Sequence, residues 1–208
     1  MTNCFDVSAD HDAVRMLVEH APLAWVLASD GHTGSQLPLL GEYGASGELV
    51  GLIGHFAAAN PLAAAFATNP LATILFNGPQ GYVSPRVAGK SNWAPTWNHA
   101  HLRIRASVKI DPHFTQTAVS MLVDRMEASN LQPWSERELN ERYGMLMGRI
   151  VGFKAQILDL NARFKLAQDE RPGVLSSILE HHPDEALTQW MRMFNKQRLD
   201  REVPSDAE

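Results

Sequence analysis

Between His99 and Ile110 the chain alternates. Ala100, Leu102, Ile104 and Ala106 fall on one side of an extended strand, and His99, His101, Arg103 and Arg105 fall on the other. No helix face accommodates that pattern, since helical neighbours recur about every 3.6 residues. The segment needs a sheet with one dry side and one wet side. The stretch before it, "GKSNWAPTWN" from Gly89 to Asn98, has neither period. Its two tryptophans, proline, lysine and small hydroxyl and amide side chains read as a polar, aromatic loop leading into a strand with a basic face.

The remaining elements follow from the same reading. Val14, Leu17 and Val18 stand at helical spacing within Asp10 to Glu19, with Ser8 or Asp10 as a cap. "PLAWVLASDGHTGSQLPLL" reads as an apolar strand, a turn from Asp30-Gly31, and an extended segment in which Pro38 predicts an edge or a bulge. Glu48 to Phe56 forms a strand, and Asn60-Pro61 opens a short helix. "LATILFNG" and "QGYVS" read as two strands divided by Gly78-Pro79. Asp111-Pro112 caps a helix through Glu127 that turns Phe114, Ala118, Met121, Leu122 and Met126 inward, and Ser135 with Glu138 forms a capping box for the next helix. Val151, Phe153, Ala155 and Ile157 alternate in a further extended segment. From Pro172 onward the pattern is helical, with Leu187, Trp190, Met191 and Phe194 on one stripe. Antiparallel strands with helices between and after them predict an α+β fold built on a mostly antiparallel barrel. The expected organisation is a barrel domain over residues 1–170 with inserted helices, and a helical extension over 171–208 packed on it.

Charge and composition narrow the function classes. The 18 basic residues are outnumbered by 23 acidic ones, and a formal net charge of −5 supplies no field toward phosphate backbones or anionic lipid. Direct DNA binding is therefore not expected beyond a local contact at Arg103 or the "NKQRLDR" end. A single cysteine, Cys4, excludes an intrachain disulfide and predicts a reducing, cytoplasmic location. Neither a secretory leader nor an apolar run of about 18 residues is legible, so no membrane span is expected. The chain has no G-x-S-x-G elbow, H-E-x-x-H, Walker lysine loop or G-x-G-x-x-G fingerprint, which removes support for hydrolase, metalloprotease and nucleoside-triphosphatase readings.

What remains is a binding chemistry. Trp93 and Trp97 beside Lys90, Ser91, Thr96 and Asn98 suit a planar cofactor with a phosphate tail: aromatic faces bury a ring, while hydroxyls, amides and cations satisfy its polar rim and its phosphate. His99 and His101 lie two apart, within reach of one metal or one heme. No third ligand stands at a useful spacing, and a solvated strand face is the commoner reading. His181-His182 beside Pro183 marks a helix end.

"GHFAAANP", "LFNGPQGYVSP", "APTWNHAH", "GRIVGFKAQI" and "FKLAQDERPGVLSSIL" occur in that order and resemble the PaiB-like family of FMN-binding negative transcriptional regulators, from about residue 5 to residue 190. The resemblance implies a split barrel of the flavin reductase and pyridoxamine-phosphate oxidase type. It also implies FMN at the interface of a homodimer and a role as a negative regulator of transcription. The family's P-T-W-N stands here as Pro95, Thr96, Trp97 and Asn98, its G-H as Gly54 and His55, and its helix-opening Asn-Pro as Asn60 and Pro61. Its K-L-S-Q appears as Lys165, Leu166, Ala167 and Gln168. The polar residues of these motifs, with Lys90 and Ser91 added from the reading of the loop, give the expected FMN contacts: His55, Asn60, Lys90, Ser91, Thr96, Trp97, Asn98, Lys165 and Gln168, with no metal expected.

Four departures accompany these matches. Ala58 and Ala59 stand where the family carries an arginine, Arg86, Val87 and Ala88 replace an S-W-Y segment, His99 replaces a tyrosine, and Ala167 replaces the serine of K-L-S-Q. Losing an arginine fork removes a natural phosphate partner, for which Lys90 and Arg86 are the available substitutes. A flavin-dependent oxidoreductase, a heme protein ligated through His99 or His101, and a cofactor-free regulator stay open on the same fold, and with them the question of whether the chain is an enzyme.

Overall fold

A computed structural model describes residues 4–201. In chain order the elements are α1 (His11–His20), β1 (Leu23–Ala28), β2 (Gly34–Tyr43), β3 (Leu49–Ala57), α2 (Pro61–Thr68), β4 (Leu71–Val83), β5 (Thr96–Ile110), α3 (Thr115–Glu127), α4 (Arg142–Met147), β6 (Ile150–Lys165), α5 (Pro172–His181) and α6 (Glu185–Asp200). The strands close on themselves in the order β1-β2-β3-β6-β5-β4, with antiparallel pairing of β1 to β2 and β4 and of β3 to β2 and β6. This is the expected α+β split barrel with flanking helices. Contacts divide the chain into two compact units, the larger comprising Asp10–Phe76 and Leu102–Asn161, the smaller comprising Asn77–His101 with the described parts of Met1–Ala9 and Ala162–Glu208. Strands β4, β5 and β6 run from one unit into the other.

In the larger unit, α1 starts where expected because the Asp10 carboxylate accepts from the backbone N–H of Ala13, and Ala13, Val14, Leu17 and Val18 are buried. Pro38 falls where β2 has a strand on one side only. It opposes Leu23 of β1, and pairing with β3 begins one residue later, at Leu39 opposite Gly54. A residue without an N–H is tolerated at such a one-sided position. The irregularity in β2 lies further along, at Glu42/Tyr43. Phe56 and Phe153 meet across β3 and β6 with ring centroids 5.2 Å apart.

Two expectations are corrected here. The helix opened by Asp111-Pro112 is first a single 3-10 turn, Pro112–Phe114, and α3 follows it with only Thr115 and Ala118 buried; Met121 and Met126 are exposed. The start of α3 is held close to the sheet, because a Cβ on Gly152 would lie 2.8 Å from the Thr115 Cα, and the Gly152 N–H donates to the Thr115 hydroxyl at 2.9 Å. The capping box of Ser135 and Glu138 is present, but it caps another 3-10 turn, Glu136–Leu139.

A third correction concerns β4, which runs unbroken through Gly78-Pro79. Ala72, Ile74 and Phe76 are buried before that dipeptide and Val83 after it, so the inward phase changes from even to odd positions. The strand absorbs its breakers as a local irregularity instead of ending at them. β6 changes phase as well, from Phe153 and Ala155 to Ala162 and Phe164.

In the smaller unit, Phe164 packs against Trp190 and Phe194 of α6 with centroid separations of 5.7 and 5.3 Å. The turn after β6 places Ala167 at φ +64°, an unfavourable backbone for a residue with a Cβ. α6 over-determines that turn. Asn195 donates to the Leu166 carbonyl at 2.8 Å, and Arg198 donates to the carbonyls of Ala167 and Glu170. Arg198, part of the "NKQRLDR" end considered above for DNA contact, thus spends its guanidinium on backbone carbonyls.

Candidate functional site

The first residues of β5 and the last of β6 lie in the smaller unit and carry its polar chemistry. Lys165 donates through Nζ to the Thr96 hydroxyl, and among the described residues it has no carboxylate within ion-pair distance. Beside Thr96, the Trp97 ring is 58% exposed and meets the edge of Tyr82, itself 48% exposed, at 5.9 Å between centroids. Next on the same strand face, His99 and His101 stack at 5.1 Å with their planes 14° apart. Arg163 stands over the Phe5 ring at 5.1 Å, which places a second cation on this end of β6.

Electrostatics register the crowding. Burial, followed by the positive charge of His101, Arg163 and Lys165, holds the His99 imidazole below its ordinary value near 6.5. A cation held by a hydroxyl and an aromatic face with no carboxylate among the described residues, next to a half-bare indole, is an arrangement able to take an anionic group together with a planar ring.

Of the other residues implied for the site, Asn98 points the opposite way from Trp97, as strand alternation requires. It is buried, its amide donates to the Met191 sulfur at 3.6 Å, and its Oδ1 has no partner among the described residues. Gln168 turns back on its own chain: its Oε1 accepts from the Leu166 N–H at 2.6 Å and its amide donates to the Phe164 carbonyl at 2.8 Å. Lys90 and Ser91 are exposed after a tight turn in which Gly89 adopts φ +66° and Ser177 donates to the Val87 carbonyl at 2.9 Å.

His55 and Asn60 belong to the larger unit. Asn60 caps α2, accepting from the Leu62 N–H at 2.9 Å, and its amide donates to the Ser35 hydroxyl at 3.0 Å. His55 on β3 sits opposite Gly152 of β6, its Nδ1 has no partner among the described residues, and burial depresses its pKa. The geometry thus brings Thr96, Trp97 and Lys165 together. Tyr82 and Arg163, which sequence reasoning passed over, join them; the only available signal was the dipeptide Gly81-Tyr82 and the alternating end of β6.

A closed antiparallel barrel with an aromatic and cationic outer face defines a protein of the split-barrel flavin-binding class. The chain belongs to the family described as "Putative FMN-binding domain", which matches residues 3–159. FMN is the cofactor of this family, and the residues at the β5 and β6 ends fit it, with an unpaired lysine for a phosphate and an exposed indole for a ring. Lys165 and Gln168 lie beyond the matched stretch. Among characterised relatives, the chain is 27% identical over 138 residues to the protease synthase and sporulation protein PAI 2 of Bacillus subtilis, covering 64% of this chain and 65% of that protein, just under two thirds of its length. Two known structures share the fold: an FAD and heme binding protein from Mycobacterium smegmatis (TM-score 0.52, 17% identity, 74% and 70% of the two chains) and a flavocytochrome from Azotobacter vinelandii (TM-score 0.52, 14% identity, 74% and 66%).

The electrostatics of His99 generate a test. Lys165→Met removes one of the cations that depress it, so the His99 pKa rises toward 6.5 in an NMR titration of the imidazole protons; an unchanged value contradicts the placement. A histidine depressed in the folded state binds fewer protons than in the unfolded chain. Stability is therefore full above the ordinary value near 6.5 and falls as pH drops through the window below it, with His55 adding the same sign. Urea unfolding between about pH 7.5 and pH 5 shows this loss, and His55→Gln flattens it.

Proposed function

We propose that this chain is an FMN-binding regulatory protein of the PaiB type, with the FMN phosphate held by Lys165 and Thr96 and the flavin ring placed against Trp97. The observation that carries the reading is the Lys165 ammonium, held by a hydroxyl and by no carboxylate among the described residues, beside an indole that is 58% exposed. FMN, when bound, supplies one- and two-electron redox chemistry. The chain's own part is to hold the phosphate through a charge-assisted hydrogen bond and to cover one face of the ring. Arg163 adds positive potential around the same anion.

A second reading, a flavin-dependent oxidoreductase, draws on the exposure of Trp97, since a ring lying there stays open to a soluble reductant. NADH or NADPH turnover with an acceptor distinguishes it from a regulator that holds FMN without turnover. The regulatory role rests on the resemblance to the PaiB-like regulators, and a chain with net charge −5 favours regulation without tight duplex contact. Gel-shift titrations at physiological salt are expected to show weak binding that Arg103→Ala weakens further. Nanomolar, sequence-selective complexes would restore a direct repressor.

A homodimer completes the proposal. Leu23 and Trp25 of β1 and Leu71 of the neighbouring β4 are exposed at 54, 42 and 41%, an apolar outer strand face that a second copy covers. Light scattering then reports twice 23.0 kDa, and Trp25→Glu shifts the protein to monomer. A parent protein that is monomeric at tens of micromolar, an order-of-magnitude working range for a weak dimer, rules the dimer out.

Cofactor affinity is the direct test. Lys165→Ala weakens FMN binding about tenfold or more, in line with a charged hydrogen bond of roughly 1.5–3 kcal/mol. Riboflavin, which lacks the phosphate, binds the parent more weakly and is indifferent to the substitution. Mass spectrometry of the co-purified ligand separates flavin from heme. Equal affinities for riboflavin and FMN would remove Lys165 from the site.

A further inference from the structure

Building on the flavin reading, we infer that the corner between α5 and α6 sets the aromatic wall of that site, with His182 as the positioning residue that holds Tyr82 beside Trp97. The two rings are half-exposed, their centroids lie 5.9 Å apart and their planes are inclined at 63°. An indole so open to solvent has rotational freedom to lose when a ligand lies against it. A neighbouring ring that fixes its orientation beforehand lowers that cost. What fixes Tyr82 is therefore part of the site, although it touches no ligand.

Tyr82 owes its outward direction to the change of phase in β4. Had the phase of Ala72, Ile74 and Phe76 continued, position 82 would be directed inward. Past Gly78-Pro79 it is Val83 that is buried, and Tyr82 leaves the strand on the opposite face. The α5–α6 corner grips β4 at this point. A Cβ on Gly81 would lie 2.8 Å from Cδ2 of Leu187 and 3.1 Å from Cε1 of His182, so a glycine admits the corner to a distance at which any side chain would displace it.

His182 makes that grip directional. It stands just past the last residue of α5, and its imidazole bridges two backbones. Nδ1 accepts from the Asp184 N–H at 3.1 Å, which leaves the ring hydrogen on Nε2, and Nε2 donates to the Tyr82 carbonyl at 3.1 Å. Its neighbour His181 stays with its own helix, Nδ1 lying 2.9 Å from the Ser177 carbonyl. The corner behind His182 is braced. The Asp184 carboxylate caps α6 by accepting from the Leu187 N–H at 2.9 Å, and Arg192 of α6 donates to the Leu179 carbonyl of α5 at 2.9 Å. Leu187, Trp190 and Met191 are buried, so the packing of α6 anchors the corner and, through His182, the strand from which Tyr82 projects. All of these contacts lie within the smaller unit.

The test uses the full chain, first without flavin. NMR of the parent shows the His182 hydrogen on Nε2 and nuclear Overhauser contacts between the Tyr82 and Trp97 rings. Those contacts are lost in His182→Ala and kept in His182→Gln, whose side-chain amide still donates to the Tyr82 carbonyl. Fluorescence titration with FMN and riboflavin reads the consequence. His182→Ala weakens both flavins by the same factor, about three- to tenfold, because the wall and not the phosphate contact is disturbed. Tyr82→Ala, at a half-exposed position where circular dichroism checks that folding is retained, weakens both alike, and in that background His182→Ala has no further effect. Ring contacts that survive His182→Ala, a loss confined to FMN, or equal losses in both backgrounds would each overturn the inference. A parent that binds neither flavin removes the flavin reading and this inference with it; a parent that binds flavin, with affinity unchanged in His182→Ala, removes this inference alone.

Discussion

Closure of six strands into a barrel governs everything else in this protein. A closed sheet has no edge strand, so each of the six strands has a hydrogen-bonded neighbour on both sides along at least part of its length. A ring of so few strands has an interior just wide enough for side chains. The inward positions are accordingly apolar, and several are as small as Ala24, Ala100, Ala106 and Ala155, while Phe56, Ile74, Leu102 and Phe153 supply the bulk. A flavin has no room inside such a lumen. Binding chemistry is forced onto the outer faces of the strands, where helices leave them uncovered.

The cations on those outer faces have different fates. Lys154 pairs with Glu42 at 3.2 Å and Arg125 with Glu19 at 3.0 Å, surface ion pairs of the kind that contribute little to stability. Arg198 is committed to backbone carbonyls beneath α6. Lys165 has the Thr96 hydroxyl and the Phe5 ring at 6.0 Å but no carboxylate among the described residues, although it stands two residues from Arg163 and close enough to His99 to depress it. Keeping like charges together without a carboxylate costs free energy in the absence of an anion, and an anionic ligand offsets that cost. Ligand chemistry therefore accounts for this cluster better than stability does.

Residues that share a sequence motif turn out to do unlike work. In Pro95-Thr96-Trp97-Asn98, alternation sends Trp97 outward and Asn98 into the interior beside Met191. In Lys165-Leu166-Ala167-Gln168, Lys165 faces the cationic cluster, whereas Gln168 closes the turn that holds Ala167 at positive φ. Asn60 is engaged as a helix cap. A conserved-looking string of polar residues thus divides into one part that can meet a ligand and another that shapes the backbone carrying it.

Local order was legible in the sequence because it depends on near neighbours. The alternation of β5, the Asp10 and Asn60 caps, the Ser135–Glu138 box and the stripe of Leu187, Trp190 and Met191 all follow from periodicity or from a side chain reaching its own helix end. Gly78-Pro79 misled because breakers carry local meaning, while the fate of β4 was set by strands pairing across the barrel. Met121 and Met126 misled because helical spacing states which face is apolar and is silent on how far the sheet beneath extends. The hold of His182 on Tyr82 and the company kept by Lys165 had no sequence signal, since Gly81, Tyr82 and His182, like Thr96 and Lys165, meet only when distant segments pack. The sequence by itself determined most of the elements, their caps and the family; the tertiary structure decided the continuity of β4 and which polar groups are left without partners, because both depend on contacts between segments far apart in the chain.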